Sequence, residues 1–231
     1  MAHGVPELYE TRKSSGWKSR LRRWLEPPLP LVLNPAEPTD TRNFPMGPWN
    51  LYVGGAGSET PGFINLDLFL MAGVDVVGDA HDLPFASDVF TRIECDAVIE
   101  HVKNPARLMR ELERVLAPGG HLHVVAPFCH PYHEYPEDYH RFTIPALREM
   151  AGGMEVIATG WRTGPTATLL VFILEYAKLL LPWRAWRAIA HGGLGWLLFP
   201  LRYLDLILLK RPDAGRIGNH CYVWYRKPSV E

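Results

Sequence analysis

The chain has 231 residues, of which 47% are hydrophobic, and its formal net charge is −1. This length and composition are typical of one globular domain with additions, and the near-neutral charge gives no electrostatic reason to expect a nucleic-acid partner. The three cysteines are far apart and odd in number, which favours reduced thiols in a cytoplasmic protein over a disulfide framework or a cysteine metal site.

The two ends of the chain differ in composition from its centre. Residues 1–48 are rich in proline and charged residues and are expected to form an arm. A signal peptide is not expected, because no apolar run follows Met1. The apolar stretches 169–181 and 194–209 contain charged residues and are shorter than the about 20 residues of a membrane-spanning helix. We therefore expect a single domain over residues 49–231 and no transmembrane segment.

Apolar strands and amphipathic helices alternate along this domain, which predicts an α/β fold. Strands are predicted near 50–54, 63–67, 74–78, 90–98, 121–126, 155–159 and 221–226. Helices are predicted from Asn104 to Gly119-Gly120 and from Thr143 to Gly152-Gly153. A loop or single turn is expected between the first two strands, because the connection is about as short as a parallel crossover allows. The long connection before the last strand predicts a helical insertion at about 164–212.

Glycine and acidic residues follow the first three predicted strands. The first strand ends in Gly54-Gly55-Ala56-Gly57, the second ends in Asp67, and Asp79-Ala80 follows the third. Glycine permits a tight turn and the close approach of a ligand, and an acidic residue after the second strand typically binds a ribose diol. Because the carboxyl ends of parallel strands meet at one edge of the sheet, this pattern predicts a nucleoside site there.

A segment rich in titratable residues, FCHPYHEYPEDYHRFT at 128–143, follows the fifth predicted strand and should lie at the same edge. Histidine is suited to act as a general base near neutral pH, and a carboxylate can orient a histidine or hold Mg²⁺. His133 is the first candidate for the base and His140 the second, while His101 at the end of the fourth strand is a further candidate. Glu134 and Asp138 are the candidate Mg²⁺ ligands. Asp138 and Arg141 are also candidate catalytic residues. Equally well, the two could form an ion pair whose role is only to hold the loop in shape.

The ordered motifs together resemble those of class I S-adenosylmethionine-dependent methyltransferases. They are Gly54 to Ala56, Gly62/Asn65/Asp67, Leu83-Pro84-Phe85, Glu100-His101 and Leu116/Pro118/Gly119/Gly120. After the fifth strand, His133, Pro136, Asp138, Tyr139, Arg141, Phe142 and Thr143 match the pattern H-x-x-P-x-D-[aromatic]-x-R-[aromatic]-T of the same branch. The chain departs from the family at Ala56, where a second glycine is usual.

The resemblance implies a Rossmann-like, seven-stranded and mostly parallel sheet that binds S-adenosylmethionine through Gly54, Gly55, Ala56, Asp67, Asp79 and Ala80. It also implies methyl transfer to a hydroxyl group of a carbohydrate, since this motif is frequent among saccharide-modifying enzymes. A narrower similarity to the 1-O-methyltransferases of methylmannose polysaccharide synthesis implies a short mannoside acceptor and a divalent metal. Two alternatives remain open, an NAD-dependent oxidoreductase and a non-catalytic module that binds the cofactor and recruits a partner through its insertion.

The predicted insertion carries a strongly apolar helix. The residues recurring at three- and four-residue steps are Leu169, Leu170, Ile173, Leu174, Ala177, Leu180 and Leu181. A second apolar segment could complete a hairpin around Gly192-Gly193. Because large exposed apolar patches are uncommon on soluble monomers, we predict that the insertion forms a homodimer interface. Contact with a membrane surface and a lid over the acceptor are less favoured alternatives.

Overall fold

The computed structural model describes residues 44, 46–55, 60–183 and 192–229, which form one seven-stranded sheet of order β3-β2-β1-β4-β5-β7-β6. The strands are β1 Asn50–Val53, β2 Ile64–Asp67, β3 Val76–Val77, β4 Phe90–Asp96, β5 Leu116–Pro127, β6 Glu155–Trp161 and β7 His220–Arg226. All neighbouring pairs from β3 to β5 are parallel, whereas β7 runs antiparallel to both β5 and β6. The predicted seven-stranded, mostly parallel sheet is confirmed. Residues 1–43 of the predicted arm and Ala56 of the glycine turn lie outside the described residues.

Four α-helices are bounded within the described ranges: α1 Pro105–Val115, α2 Ile144–Glu149, α3 Pro165–Leu179 and α4 Asp205–Leu208. Residues 192–198 are also helical, and 3₁₀ turns cover Ile99–His101, Phe199–Leu204 and Pro212–Ile217. The predicted caps are confirmed, since the side chain of Asn104 accepts a hydrogen bond from the amide of Arg107, and that of Thr143 from the amide of Ala146.

Helix α1 ends earlier than predicted. It stops at Val115 because Leu116 already pairs with β4, opposite Phe90, at the start of the long strand β5. The predicted terminator Gly119 therefore lies within β5, where it has a φ of 77° and its amide donates to the carbonyl of Lys227. The glycine pair shapes the start of a strand rather than the end of a helix.

The helix α1 buries one apolar stripe against the sheet and also fixes the preceding loop. Its buried residues are Leu108, Met109, Leu112 and Val115. The guanidinium of Arg114 donates to the carbonyls of Leu83 and Phe85, while the carboxylate of Glu111 accepts from the amide of Leu83. The Leu83-Pro84-Phe85 motif is thus held by α1, which positions the end of the loop that follows β3.

The insertion between β6 and β7 is helical, as predicted, but its details differ. Gly192 and Gly193 lie in a helical stretch and not at the turn of a hairpin. The N-cap position of α3 is occupied by Gly164, which has no side chain, and the first amides of the helix donate instead to a residue of α4. Both carboxylate oxygens of the buried Asp205 accept hydrogen bonds, one from the amide of Thr166 at 2.8 Å and one from that of Ala167 at 2.9 Å.

Helix α3 has two apolar faces rather than one. Leu170 and Leu174 are buried, whereas large apolar side chains on the other face are exposed: Leu169, Phe172, Tyr176, Leu179 and, just beyond the helix, Trp183. The exposed helical positions Leu169, Phe172, Tyr176 and Leu179 are three, four and three residues apart, which is the spacing of a seam that packs on another helix, and Leu180 directly after the helix is exposed as well. No helix within the described ranges is both long and apolar enough to cross a membrane.

Candidate active site

A cavity of about 320 Å³ opens at the carboxyl ends of β1, β2, β3 and β4. Each of these strands, or the loop directly after it, contributes to the wall. Four of the six predicted cofactor residues line the cavity: Gly54, Asp67, Asp79 and Ala80. The carboxyl edge of parallel strands is where open α/β sheets bind ligands, because the loops there diverge and leave a crevice. Gly55 follows Gly54 directly, and Ala56 lies outside the described residues.

Position 54 requires glycine for two reasons. Its φ is 74°, in the left-handed region that other residues rarely adopt, and a Cβ atom there would lie 2.1 Å from Cγ2 of Val98. At position 55 a Cβ atom would lie 2.4 Å from Oδ1 of Asn65. The backbone therefore turns close against β2 and β4, which leaves the space beside Gly54 open to a ligand.

The two predicted acidic residues differ in exposure. Asp67 is 3% exposed at the cavity wall, and its Oδ1 accepts a hydrogen bond from the amide of Phe69. The Asp79 side chain is 61% exposed, and its Oδ1 accepts from the amide of His81 at 2.9 Å and from the ring at 2.7 Å. Partial burial works to raise the pKa of Asp79, but the hydrogen bonds from His81 outweigh it and lower the pKa.

His81 links this acidic residue to the start of α1, and sequence reasoning missed it. Its Nδ1 faces the carboxylate of Asp79, while its Nε2 accepts from the amide of Asn104. A neutral ring with its proton on Nδ1 satisfies both contacts. The motif Asp-x-His after β3 was the only feature of the sequence that could have pointed to His81 as a partner of Asp79. An ordinary turn would have explained this motif equally well.

The histidine-rich loop forms the other wall of the same cavity. Tyr135, Pro136 and Tyr139 line it, and the hydroxyl of Tyr135 lies 3.7 Å from the sulfur of Met71 in the loop after β2. The rings of Tyr135 and Phe69 are also in edge contact, with centroids 6.4 Å apart. The structure thus brings together the two sequence regions that were predicted separately as the cofactor site and the catalytic loop.

Asp138 and Arg141 hold this loop in shape. Both carboxylate oxygens of Asp138 contact the Arg141 guanidinium, and Oδ2 also accepts from the amide of His133 at 2.8 Å. The same guanidinium donates to the carbonyls of His130, Pro131 and His140. Burial works to raise the pKa of Asp138, but the hydrogen bonds from Arg141 and from the His133 amide hold it at about 2. This network supports the structural alternative for the pair, because both charged groups are engaged within the loop.

Glu100, His101 and His133 converge beside the cavity. The Glu100 side chain is fully buried, and its Oε1 lies 3.7 Å from Nε2 of His101 and 3.7 Å from Nε2 of His133. The two imidazole rings are roughly perpendicular, with centroids 4.8 Å apart. Burial raises the pKa of Glu100 to about 8 and lowers the pKa of both histidines. His101 is also one of the residues that line the cavity.

Two other predicted site residues do not belong to this cluster, although the backbone amide of His140 donates to the carbonyl of Glu100. His140 packs between Tyr139 and Phe142 and is not among the described residues that line the cavity. Glu134 is exposed and interacts with the hydroxyl of Tyr132. Of the two predicted Mg²⁺ ligands, Asp138 contacts Arg141 through both carboxylate oxygens and Glu134 contacts Tyr132. Sequence analysis named Glu100 only as part of the Glu100-His101 motif, since nothing local indicates that its side chain is buried beside two histidines.

The central part of the chain is similar to known methyltransferases. Residues 65–124 match the family described as "Methyltransferase domain". A segment of 56 residues is 41% identical to the demethylmenaquinone methyltransferase of Renibacterium salmoninarum, covering 24% of this chain and 23% of that protein. The match thus spans about a quarter of the length of that curated relative.

Solved structures with the same fold cover most of the chain at low identity. The [4+2]-cyclase SpnF superposes with a TM-score of 0.51 at 18% identity, covering 91% of this chain and 82% of that one. A provisionally named sarcosine dimethylglycine methyltransferase from Galdieria sulphuraria superposes with a TM-score of 0.52 at 14% identity, covering 91% and 86%. The strand order and these superpositions confirm the predicted Rossmann-like fold with a seven-stranded, mostly parallel sheet.

Proposed function

We propose that this protein transfers a methyl group from S-adenosylmethionine to a hydroxyl oxygen of an acceptor, and that the acceptor is a carbohydrate. The observation that carries the proposal is the cavity at the ends of β1 to β4, with Gly54, Asp67 and Asp79 in its wall. In this arrangement Asp67 would accept hydrogen bonds from the ribose diol, and Asp79-Ala80 would lie beside the adenine. The glycine turn would leave room for the methionine part of the cofactor.

The chemistry needs alignment and a nucleophile more than it needs a reactive protein group. The sulfonium of the cofactor supplies the electrophilic methyl carbon, and the protein must hold an acceptor oxygen in line with the carbon–sulfur bond. A sugar hydroxyl is weakly acidic and must be deprotonated as it attacks. Of the three predicted bases, His101 is the one that lines the cavity among the described residues, and the ring of His133 is in edge contact with that of His101 at 4.8 Å. A role for His133 in preparing the hydroxyl therefore remains our first prediction.

The proposal of a carbohydrate acceptor is based on the sequence resemblance of the loop 128–143. A short mannoside is the more specific form of this proposal. The exposed side chain of Tyr132 and the partly exposed Tyr139 lie on this loop and offer aromatic surfaces on which sugar faces stack. The fold by itself does not determine the reaction, as the superposition on a cyclase illustrates.

Two rival functions are less well supported. The antiparallel β7 between β5 and β6 differs from the all-parallel order 3-2-1-4-5-6 of NAD-binding Rossmann domains, which argues against an oxidoreductase. A module that only binds the cofactor would not require a buried carboxylate beside two histidines at the cavity, and burying such a group is energetically unfavourable.

We further propose that the exposed stripe of α3, defined by Leu169, Phe172, Tyr176 and Leu179, packs against the same stripe of a second copy. The alternating spacing fits a helix pair, and an isologous contact of two such stripes would remove both apolar surfaces from water. The Glu175–Lys178 ion pair beside the stripe offers charges of both signs, which suits an antiparallel arrangement of two identical helices.

Calorimetry and mass spectrometry test the proposed activity. The full chain should bind S-adenosylhomocysteine and not NAD, and it should add 14 mass units, the increment of a methyl group, to members of a panel of mannosides, other sugars and small phenols. Binding of NAD alone, or methylation of carbon or nitrogen acceptors in place of hydroxyl groups, would contradict the proposal.

A further inference from the structure

The carboxylate of Glu100 is buried without an evident partner. Its side chain has no solvent exposure, and among the residues that the structure describes no other residue donates a hydrogen bond to either of its oxygens. An ionised carboxylate in this state is strongly unfavourable, so such groups in native proteins are protonated, paired or bound to a metal ion. The nearest polar atoms of the cluster are two imidazole nitrogens, each 3.7 Å away, which is too far for a hydrogen bond.

In both imidazoles Nε2 is the nitrogen that lies 3.7 Å from this carboxyl group, while Nδ1 contacts other protein oxygens. Nδ1 of His101 lies 2.6 Å from the carbonyl oxygen of Glu137, and because a carbonyl can only accept, the proton of the neutral ring is on Nδ1. Nδ1 of His133 faces the carbonyl of Pro131 and the carboxylate of Asp138, each at 3.4 Å. A histidine that donates through one nitrogen to a carbonyl or carboxylate and ligates through the other is the usual arrangement around protein metal ions.

We infer that Glu100, His101 and His133 form a binding site for one divalent transition-metal ion, with Zn²⁺ as the best match. Their ligand atoms lie within 4.8 Å of one another. Ligands about 2.0 Å from a tetrahedral ion are about 3.3 Å apart, so the two 3.7 Å separations from Oε1 need a contraction of a few tenths of an ångström. The separation between the two imidazole nitrogens is at most 4.8 Å, so the histidines have to approach each other by up to about 1.5 Å. His133 is on a loop and one-third exposed, which gives it room to move.

The donor set selects the class of ion. Mg²⁺ and Ca²⁺ prefer oxygen ligands, whereas two imidazoles with one carboxylate are typical of Zn²⁺ and related transition metals. The predicted Mg²⁺ site at Glu134 and Asp138 is thus replaced by a different set of ligands and a different metal. Three protein ligands also leave a fourth position open, as in catalytic zinc sites.

The location of the cluster beside the cavity indicates a role for the open fourth coordination position of the ion. This part of the inference rests on the proposed function. His101 lines the cavity, so an ion held there would face the space beside the transferred methyl group. An ion of this kind acidifies a hydroxyl group that binds to it. The acceptor would lose its proton to water, its oxygen would bond to the methyl carbon, and the carbon–sulfur bond would break with its electron pair remaining on sulfur.

Metal binding can be measured without the reaction. The full-length chain is treated with chelator, dialysed and titrated with Zn²⁺ by calorimetry, and then with Co²⁺, whose visible absorption reports a tetrahedral site. The wild type should bind one ion with a tetrahedral cobalt spectrum. Glu100→Gln and His133→Ala should each weaken binding by more than about 100-fold, because loss of even an outer hydrogen-bond partner typically costs about 10- to 100-fold. His140→Ala is the matched control and should bind as the wild type does.

The outcomes separate the metal site from the proposed function. The chain has ten histidines, so weak binding that is equal in the wild type and in Glu100→Gln would show adventitious sites and overturn the inference. Thermal melting of the metal-free proteins checks that the variants are folded, and X-ray absorption of the zinc form should show two imidazole ligands. Calorimetry with S-adenosylhomocysteine should give the same affinity for Glu100→Gln and the wild type. Failure to bind this cofactor would refute the methyltransferase proposal and leave the metal result standing.

Discussion

The buried carboxylate of Asp67 offers a direct test of the cofactor site. It lies at the end of β2 in the cavity wall, 3% exposed, with Oδ1 already accepting from the amide of Phe69. The change Asp67→Asn keeps the shape and one acceptor oxygen but removes the charge and the second acceptor. A hydrogen bond to a charged group contributes about 1.5–3 kcal/mol, so the dissociation constant for S-adenosylhomocysteine should rise about 10- to 150-fold.

Isothermal titration calorimetry with S-adenosylhomocysteine measures this effect, and thermal melting in parallel confirms that the variant is folded. Asp82→Asn is the matched control, because Asp82 is an exposed carboxylate of the neighbouring loop and does not line the cavity. Its affinity should equal that of the wild type. An unchanged dissociation constant for a folded Asp67→Asn protein would remove Asp67 from the cofactor site and refute the reasoning from strand order and position.

Three further predictions concern the catalytic cluster, the insertion and the assembly. His133→Gln should lower kcat for methyl transfer by about 10²- to 10⁴-fold without changing the affinity for S-adenosylhomocysteine, whereas His140→Gln should leave kcat nearly unchanged, both measured by mass spectrometry of initial rates. Asp205→Ala should lower the free energy of unfolding by about 1–2 kcal/mol in urea denaturation, because the first amides of α3 lose their cap. The double change Leu169→Glu and Phe172→Glu should convert a homodimer to a monomer in light scattering, because it places charges in the exposed stripe.

Each of these has its own control. Asp213→Ala should leave stability unchanged, because that carboxylate is exposed near the end of the insertion, and an equal loss in both variants would contradict the capping role of Asp205. Ile157→Glu introduces the same charge at an exposed apolar residue of β6, outside the insertion, and should leave the dimer intact. A wild-type chain that is monomeric at micromolar concentration would refute the dimer. If His133→Gln has the same kcat as the wild type, a group other than His133 must deprotonate the acceptor hydroxyl.

The sequence by itself determined those features that depend on short stretches of chain. Strand positions followed from apolar runs, and the caps Asn104 and Thr143 followed from local hydrogen-bonding chemistry. The common edge shared by Gly54, Asp67 and Asp79 also followed, because parallel strands in one sheet bring their carboxyl ends together. These inferences needed only the periodicity and the order of the elements.

Tertiary structure alone decided which distant side chains meet and which face of a helix is buried. Periodicity could not distinguish Leu170, which is buried, from Leu169, which is exposed, because both faces of α3 are apolar. Asp205 caps a helix that begins about forty residues earlier in the chain, so no local pattern reveals it. Likewise, Glu100 and His133 are brought to 3.7 Å only because β4 and the loop after β5 end side by side. Contacts of this kind depend on the packing of elements against one another, and a pattern read along one segment does not contain that information.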